Sequence, residues 1–343
     1  MNEQANANDG AAAPIDAPPI PFSLTWPIAL ASWAFADAAY WLASSILRVA
    51  PILDDVIGAV TGSIPIHWTA QTALSMRIQA GLIGSAPLVA GMLFALSVAL
   101  YRRRRWALGA LVVWVVVYLL YQGAWTLSRM LVYHSMPWSN LTWQAACYRV
   151  QDLLLPAAVL YFALRGQARR QFRQWVQSVP SAQPVWPVVI GWISMYHAVV
   201  AMFGLLAHIG DDYVNLDLAP FWAPAFWNVT AITLALPSLA RAALVVPAWA
   251  LLKRRPNAGT LHIAGAMLVL VAMLAEPLVF GLNAGVSFSR WASLHSFSRL
   301  ISSIVYPVFL VSWFLRSAIE RQVAQWRTPD APAIIPAENE RGS

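Results

Sequence analysis

The sequence predicts an all-α polytopic membrane protein with eight transmembrane helices, arranged as two parallel four-helix repeats. Three observations support this fold class. The composition is 59% hydrophobic and only 11% charged, with a mean hydropathy of +0.58, which is typical of a membrane protein rather than of a soluble domain. Several apolar stretches exceed the ~20 residues that a helix needs to cross a bilayer. The chain also contains an internal duplication.

The duplication is clearest in residues 156–175, which occur again in altered form near the end of the chain, at residues 307–326. At this separation of 151 residues, seven positions are identical, whereas chance would give roughly one or two. They are Pro156/Pro307, Leu164/Leu315, Arg165/Arg316, Arg170/Arg321, Gln171/Gln322, Gln174/Gln325 and Trp175/Trp326. The basic triplets Arg102–Arg104 and Lys253–Arg255 match at the same separation.

The apolar stretches and the duplication together predict the domain organisation. We expect spans at about 26–47, 79–101, 106–131, 150–166, 186–209, 229–252, 258–281 and 299–316. The first unit is residues 26–175 and the second unit is residues 186–326, joined by a cytoplasmic linker at 176–185. The polar ends, residues 1–25 and 327–343, are predicted to be disordered tails.

The basic residues predict the orientation of the chain in its membrane. The arginine clusters at 102–105 and 165–173, together with 253–255, 316 and 321, all fall on one side of the predicted spans. The positive-inside rule makes that side cytoplasmic. An even number of spans puts both termini there and gives the units the same orientation, as parallel repeats. Arginine outnumbers the single lysine, Lys253, which is typical of GC-rich bacterial genes, so we expect a bacterial inner membrane.

A first candidate site lies at the predicted membrane midplane. Asp37, His197 and Arg241 each lie eleven residues from the inner end of their span, which places them about 16 Å deep. Glu276 lies roughly 8 Å from the outer end of span 7. Ionisable groups in a membrane interior indicate function, with a paired partner, although an ion pair that only fixes packing explains them equally well. We expect Asp37 to pair with Arg241, with Glu276 as second choice.

A second candidate site lies at the predicted outer face, where aspartates and histidines are frequent. Its residues are Asp54, Asp55, His67, His134, His208, Asp211, Asp212 and His295. They could bind a metal ion, and two histidines could ligate haem, although solvated loop histidines are the ordinary case. No spacing matches a recognised ligand motif, and the single cysteine, Cys147, excludes a multi-cysteine metal site.

Three hypotheses for function remain open. The first is a permease-like protein with a midplane site between the two units, acting on a small molecule or a lipid. The second is a membrane-embedded enzyme or redox protein with an outer-face Asp/His site. The third is a noncatalytic accessory or assembly subunit. Membrane lipids are expected partners, whereas nucleic acid is not, since the net charge of +7 is explained by orientation in a membrane.

Overall fold

The structure is a computed structural model that describes residues 25–42, 70–133, 143–178, 185–215, 236–284 and 297–327. Within these ranges 90% of the residues are helical and there are no strands. The predicted all-α class is therefore confirmed for the described part of the chain.

Eleven helices lie in the described ranges, and they are numbered here in chain order. They are α1 (26–42), α2 (Ala70–Tyr101), α3 (Ala107–Tyr133), α4 (Trp143–Leu164), α5 (Gly166–Gln177), α6 (Trp186–Asn215), α7 (Leu236–Ala242), α8 (Val245–Leu252), α9 (Ala258–Ala284), α10 (Phe297–Phe314) and α11 (Ser317–Arg327). Helix α2 packs on α3, α3 on α4, and α9 on α10, while α6 contacts α4, α7 and α8.

Four of the described helices are long and apolar enough to cross a membrane. The crossing segments are Gly81–Tyr101, Ala107–Ser128, Trp186–Ala207 and Ala258–Ala275, and two shorter apolar segments are Leu236–Leu252 and Ile304–Phe314. Their outward side chains are large and apolar: Leu88, Leu120 and Leu274 are each more than 60% exposed. Such a surface suits hydrocarbon rather than water as its solvent. The helices are those of a multi-pass membrane protein.

Two of the predicted spans are interrupted or displaced. Helix α4 begins at Trp143 rather than at residue 150, and it ends before Arg165, whose backbone is extended (φ −73°, ψ 120°). Predicted span 6 is divided into α7 and α8 because Pro247 has no N–H to donate to the carbonyl of Ala243. That carbonyl instead accepts the N–H of Val246 at 3.1 Å. The division lies two residues after Arg241.

The turns that follow α2 and α8 have the same geometry. Arg103 and Arg254, which are 151 residues apart, have positive φ angles of 55° and 57°. In each turn the N–H of this arginine donates to the carbonyl three residues earlier, at 2.8 and 3.0 Å. The next N–H donates to the carbonyl five residues earlier, at 3.0 and 2.8 Å. This is the Schellman ending of a helix, with arginine at the position that usually holds glycine.

Helix α8 packs closely between α6 and α9 through glycines. A methyl group on Gly191 would lie 3.0 Å from the side chain of Leu252, and one on Gly265 would lie 3.1 Å from Leu244. Since real Cβ atoms rarely come so close, glycine at these two positions permits the helix separation. By contrast, a methyl group on Gly204, also in α6, would meet nothing within 4 Å.

Candidate functional site

Four polar side chains from four helices lie in one layer of the bundle. Asp37 is eleven residues from the start of α1, Tyr118 is eleven from the start of α3, and Tyr196 is ten from the start of α6. Asp152 is twelve residues from the end of α4. At 1.5 Å per residue these positions lie about 15–18 Å along the helices from the same end of the bundle. They therefore share the depth of a bilayer midplane.

These four residues line one cavity. Its volume is about 30 Å³, which is room for about two water molecules. The wall is aromatic and polar, with Trp33, Tyr40, Trp41 and Gln151 beside the two carboxylates. Helices α1, α3 and α4 fall in the first predicted unit and α6 falls in the second, so the cavity is lined by residues from both predicted units. We call it the carboxylate cavity.

On one side of the carboxylate cavity, helices α1 and α6 are joined by direct polar contacts. The Tyr196 hydroxyl donates a hydrogen bond to Oδ1 of Asp37 at 2.6 Å. One turn earlier, the Trp33 indole N–H donates to the carbonyl of Trp192 at 3.1 Å, and the rings of Trp33 and Tyr196 meet edge to face. Hydrogen bonds to an ionised acceptor are among the stronger ones. Asp37 is thus held in place by the second unit.

On the other side, Asp152 lies at the end of a hydrogen-bonded chain. Arg149 donates to the side-chain oxygen of Gln122 at 2.8 Å, and the Gln122 amide donates to the Tyr118 hydroxyl at 2.9 Å. The Tyr118 hydroxyl donates to the backbone carbonyl of Asp152 at 3.2 Å. Asp152 also interacts electrostatically with both Arg149 and Asp37. Two acidic groups and one arginine therefore influence the same small space.

This arrangement determines what the cavity can bind. Two carboxylate charges that face one water-sized space repel each other, and low dielectric surroundings strengthen that repulsion. A proton or a small cation, with water, relieves it. A cavity of about 30 Å³ does not enclose an organic substrate, since such ligands occupy roughly 300 Å³ or more. The chemistry that fits is reversible binding of a proton or a small cation.

His197 and Arg241 belong to a second polar cluster, inside the second unit. The His197 ring stacks on Tyr306 with centroids 4.3 Å apart, and it interacts electrostatically with Arg241. The Tyr306 hydroxyl shares a hydrogen bond of 2.6 Å with Ser194. Ser194 in turn lies 3.3 Å from Nε2 of His262, which is fully buried. Here aromatic and hydroxyl groups satisfy one another in a packed interior.

The expected pairing of Asp37 with Arg241 is therefore replaced by other contacts. Among the described residues, the Asp37 carboxylate has Tyr196 as its hydrogen-bond partner, while Arg241 lies beside His197 and donates to the sulfur of Met273 at 3.7 Å. The predicted equal depth of the two residues stays a prediction, and their side chains contact different clusters. The physical reason is helix rotation: the helices turn Asp37 towards α6 and Arg241 towards α9.

The remaining predicted residues lie outside the part of the chain whose side chains are described. Glu276 is in α9, and His208, Asp211 and Asp212 are in the last turns of α6. Asp54, Asp55, His67, His134 and His295 fall outside the described residues. Within the described ranges, no three His, Cys, Asp or Glu side chains come together as a metal site would require. The outer-face site with haem or a metal thus stays a hypothesis.

Three of the four polar residues in this layer were not among the predicted site residues, namely Tyr118, Asp152 and Tyr196. Counted back from the observed end of α4 at Leu164, Asp152 lies twelve residues in, close to the eleven of Asp37, whereas the predicted span end at residue 166 gives fourteen. The predicted start of that span at residue 150 concealed this, because it placed Asp152 at the outer end. Tyrosine gave no signal, since it is common in membrane helices.

No protein-family model, curated protein or solved structure matches this chain. The conclusions about function therefore depend on the fold and the site. In the described part of the chain, these comprise the apolar helices of a multi-pass membrane protein and two acidic residues, Asp37 and Asp152, that line one small cavity.

Proposed function

We propose that this protein is a permease-like carrier of a bacterial inner membrane, and that the carboxylate cavity is its proton or small-cation site. The observation that carries the proposal is that Asp37 and Asp152, from two helices of the first unit, line one water-sized cavity closed by Tyr196 of the second unit. Intramembrane carboxylates that face a wet cavity mark ion and proton pathways. A carrier needs its coupling site where its two moving parts meet.

The transported substrate, in this proposal, is a small molecule or a lipid that binds elsewhere along the boundary between the units. The cavity is too small to hold it. Binding of a proton or cation would neutralise the Asp37–Asp152 pair and weaken the hold of Tyr196 on Asp37, because that hydrogen bond is stronger to a charged carboxylate. Binding of a proton or cation in the cavity would thereby weaken the contact between α1 and α6.

The proposed architecture is eight spans in two parallel units, with both termini in the cytoplasm. Two structural matches support it. The Schellman turns at Arg103 and Arg254 are 151 residues apart. The interruption between α4 and α5 at Arg165 also recurs, at the same separation, between α10 and α11 at Arg316. Helices that end alike at a constant separation are what a duplicated unit requires. The basic ends predict the cytoplasmic side.

The test measures ion binding directly, because the transported substrate is not needed for it. Purified protein is reconstituted into liposomes on a solid-supported membrane, and charge displacement is recorded after a jump in pH or in sodium concentration. The wild-type protein should give a displacement current for at least one of these ions. The Asp37→Asn and Asp152→Asn proteins should give the background of empty liposomes, since each removes one charge of the pair.

The matched control is Glu320→Gln, which removes a carboxylate that is exposed on α11 and should leave the current unchanged. Thermal unfolding checks that all variants are folded. Wild-type currents in folded Asp37→Asn and Asp152→Asn proteins would overturn the proposal. The outer-face and accessory hypotheses would then be preferred.

A further inference from the structure

Exposed arginines are concentrated at the basic end of the first unit. Seven arginine side chains are exposed there, and between Arg102 and Ser178 the sequence contains a single acidic residue, Asp152, which lines the carboxylate cavity. The exposed residues are Arg102, Arg104, Arg105, Arg165, Arg169, Arg170 and Arg173. Among the described residues from Arg102 to Ser178, this surface therefore carries a strong positive charge with no carboxylate beside it.

Helix α5 presents four of these arginines, counting Arg165 at its N-cap, on a rigid support. Its opposite face, formed by Ala168, Phe172 and Trp175, is buried, and the Phe172 ring lies 6.1 Å from that of Trp26 at the start of α1. The arginines consequently face away from the bundle.

Arg103 fixes the far end of α5. Its guanidinium donates to the carbonyls of Trp175 and Ser178, at 3.3 and 2.6 Å, and lies over the Trp175 ring at 5.2 Å. A cation that contacts the last carbonyls of a helix also complements the helix dipole. Partial burial lowers the pKa of Arg103, although an arginine remains charged at neutral pH. This contact keeps α5 folded against the bundle.

The position of Arg165 relates this surface to the membrane. Its guanidinium lies over the ring of Tyr161 at 4.6 Å, and Tyr161 is 49% exposed on the apolar outer surface of α4. A tyrosine at such a boundary typically lies at the level of the lipid headgroups. The arginines of α5 therefore lie where lipid phosphates are.

The equivalent segment of the second unit lacks this charge. At the separation of 151 residues, Arg169 corresponds to Glu320 and Arg173 corresponds to Ala324. The four equivalent positions thus carry a net charge of +1 in the second unit against +4 in the first. The positive charge of either segment would be enough to set the orientation of the protein in the membrane. The additional positive charge on α5 therefore requires a separate explanation.

We propose that the exposed arginine face of α5 is a binding site for anionic phospholipids. The guanidinium group binds phosphate oxygens in a bidentate manner, and each basic residue near an anionic surface strengthens binding about fivefold. A zwitterionic lipid has the same phosphate but no net charge, so this site should discriminate against it. The proposal is independent of the carrier function, because it concerns only the surface of the first unit.

The experiment titrates the purified full-length protein in detergent micelles with phosphatidylglycerol and counts bound lipid by native mass spectrometry. Arg165→Gln combined with Arg170→Gln should weaken binding about twenty-fivefold, from about fivefold per arginine. Arg103 and Arg169 are kept, because Arg103 holds α5 and Arg169 donates to the carbonyl of Leu164. Thermal unfolding and size-exclusion chromatography confirm that the variant is intact.

The matched control is Arg316→Gln with Arg321→Gln, the same charge change at the equivalent positions of the second unit. It should alter binding less than about threefold, because Glu320 offsets one of these two arginines and the segment as a whole attracts anionic lipid weakly. Phosphatidylcholine should bind weakly, and inorganic phosphate at low millimolar concentration should not displace phosphatidylglycerol. Equal losses in the two double variants, equal binding of the two lipids, or displacement by inorganic phosphate would each overturn the proposal.

Discussion

Asp37 and His197 occupy matching positions in the two predicted units, yet their surroundings differ. Asp37 borders a small cavity, whose wall includes Leu155. At the separation of 151 residues Leu155 corresponds to Tyr306, and the Tyr306 ring stacks directly on His197. The comparison indicates that a larger side chain fills the space beside His197, whereas a cavity lies beside Asp37.

The glycines around α8 also differ from those earlier in the chain. An added Cβ would lie 3.0 Å from the Leu252 side chain at Gly191 and 3.1 Å from the Leu244 side chain at Gly265, whereas it would meet nothing within 4 Å at the described glycines between Gly81 and Gly166. The helix separation around α8 is therefore sensitive to an added methyl group.

The largest expected loss of stability comes from removing the Tyr306 ring, which stacks on His197. Tyr306→Leu removes the ring that stacks on His197 and leaves Ser194 without its 2.6 Å partner. The free energy of unfolding should fall by about 3 kcal/mol, in the range of large-to-small changes of buried aromatic residues. Thermal unfolding of the purified protein measures it.

Tyr306→Phe separates the two contributions to this loss. It keeps the ring and removes only the hydroxyl, so the cost should be about 1 kcal/mol, as for one buried hydrogen bond. If Tyr306→Leu cost no more than Tyr306→Phe, the ring would contribute nothing to packing. The contrast between the filled space beside His197 and the cavity beside Asp37 would then have no effect on stability.

A smaller effect is expected from two glycines of the same helix. Gly191→Ala should destabilise the protein by about 1–3 kcal/mol through overpacking against Leu252. Gly204→Ala has open space around its Cβ and should be neutral or stabilising by up to ~1 kcal/mol, because alanine favours a helix. Thermal shifts of the two variants are compared directly. Similar shifts of the same sign would show that α6 tolerates a methyl group at both positions.

The smallest expected effect is the departure from additivity when Asp37 and Arg241 are substituted together. Since Asp37 contacts Tyr196 and Arg241 lies beside His197, their stability losses should add. The unfolding free energies of Asp37→Ala, Arg241→Ala and the double variant should agree with additivity within ~0.5 kcal/mol. A double variant that is markedly more stable than this sum would reveal a direct charge pair.

Sequence reasoning predicts the depth of a side chain but not its direction. Counting residues from a span end gives the distance of a side chain along the helix, because the helix rise is constant. It gave Asp37 and His197 one depth, and in the structure Asp37 contacts Tyr196, the residue before His197. Direction depends on rotation about the helix axis, where each residue turns by about 100°. A small error in the assumed rotation of a helix therefore predicts the wrong partner. For Asp37 the predicted partner was Arg241, whereas the observed partner is Tyr196.

The helix ends show a second limit. The basic triplets predicted the turns after α2 and α8, but the Schellman geometry with arginine at positive φ has no sequence signal, because glycine is the usual indicator. The break between α7 and α8 did have a signal in Pro247, since proline inside an apolar run interrupts helical hydrogen bonding. Hydropathy alone averages over such a residue and reports one continuous span.

The contact between Arg103 and Ser178 has a consequence for the order in which the chain is assembled during synthesis. The two residues are 75 positions apart, so the bond forms only after α3, α4 and α5 have left the ribosome. Since domains generally fold from the N-terminus as they are made, the first five helices can pack together before α6 has been synthesised. The carboxylate cavity, by contrast, needs Tyr196 of α6. A cavity that is completed only by a later helix is not formed in a half-made protein.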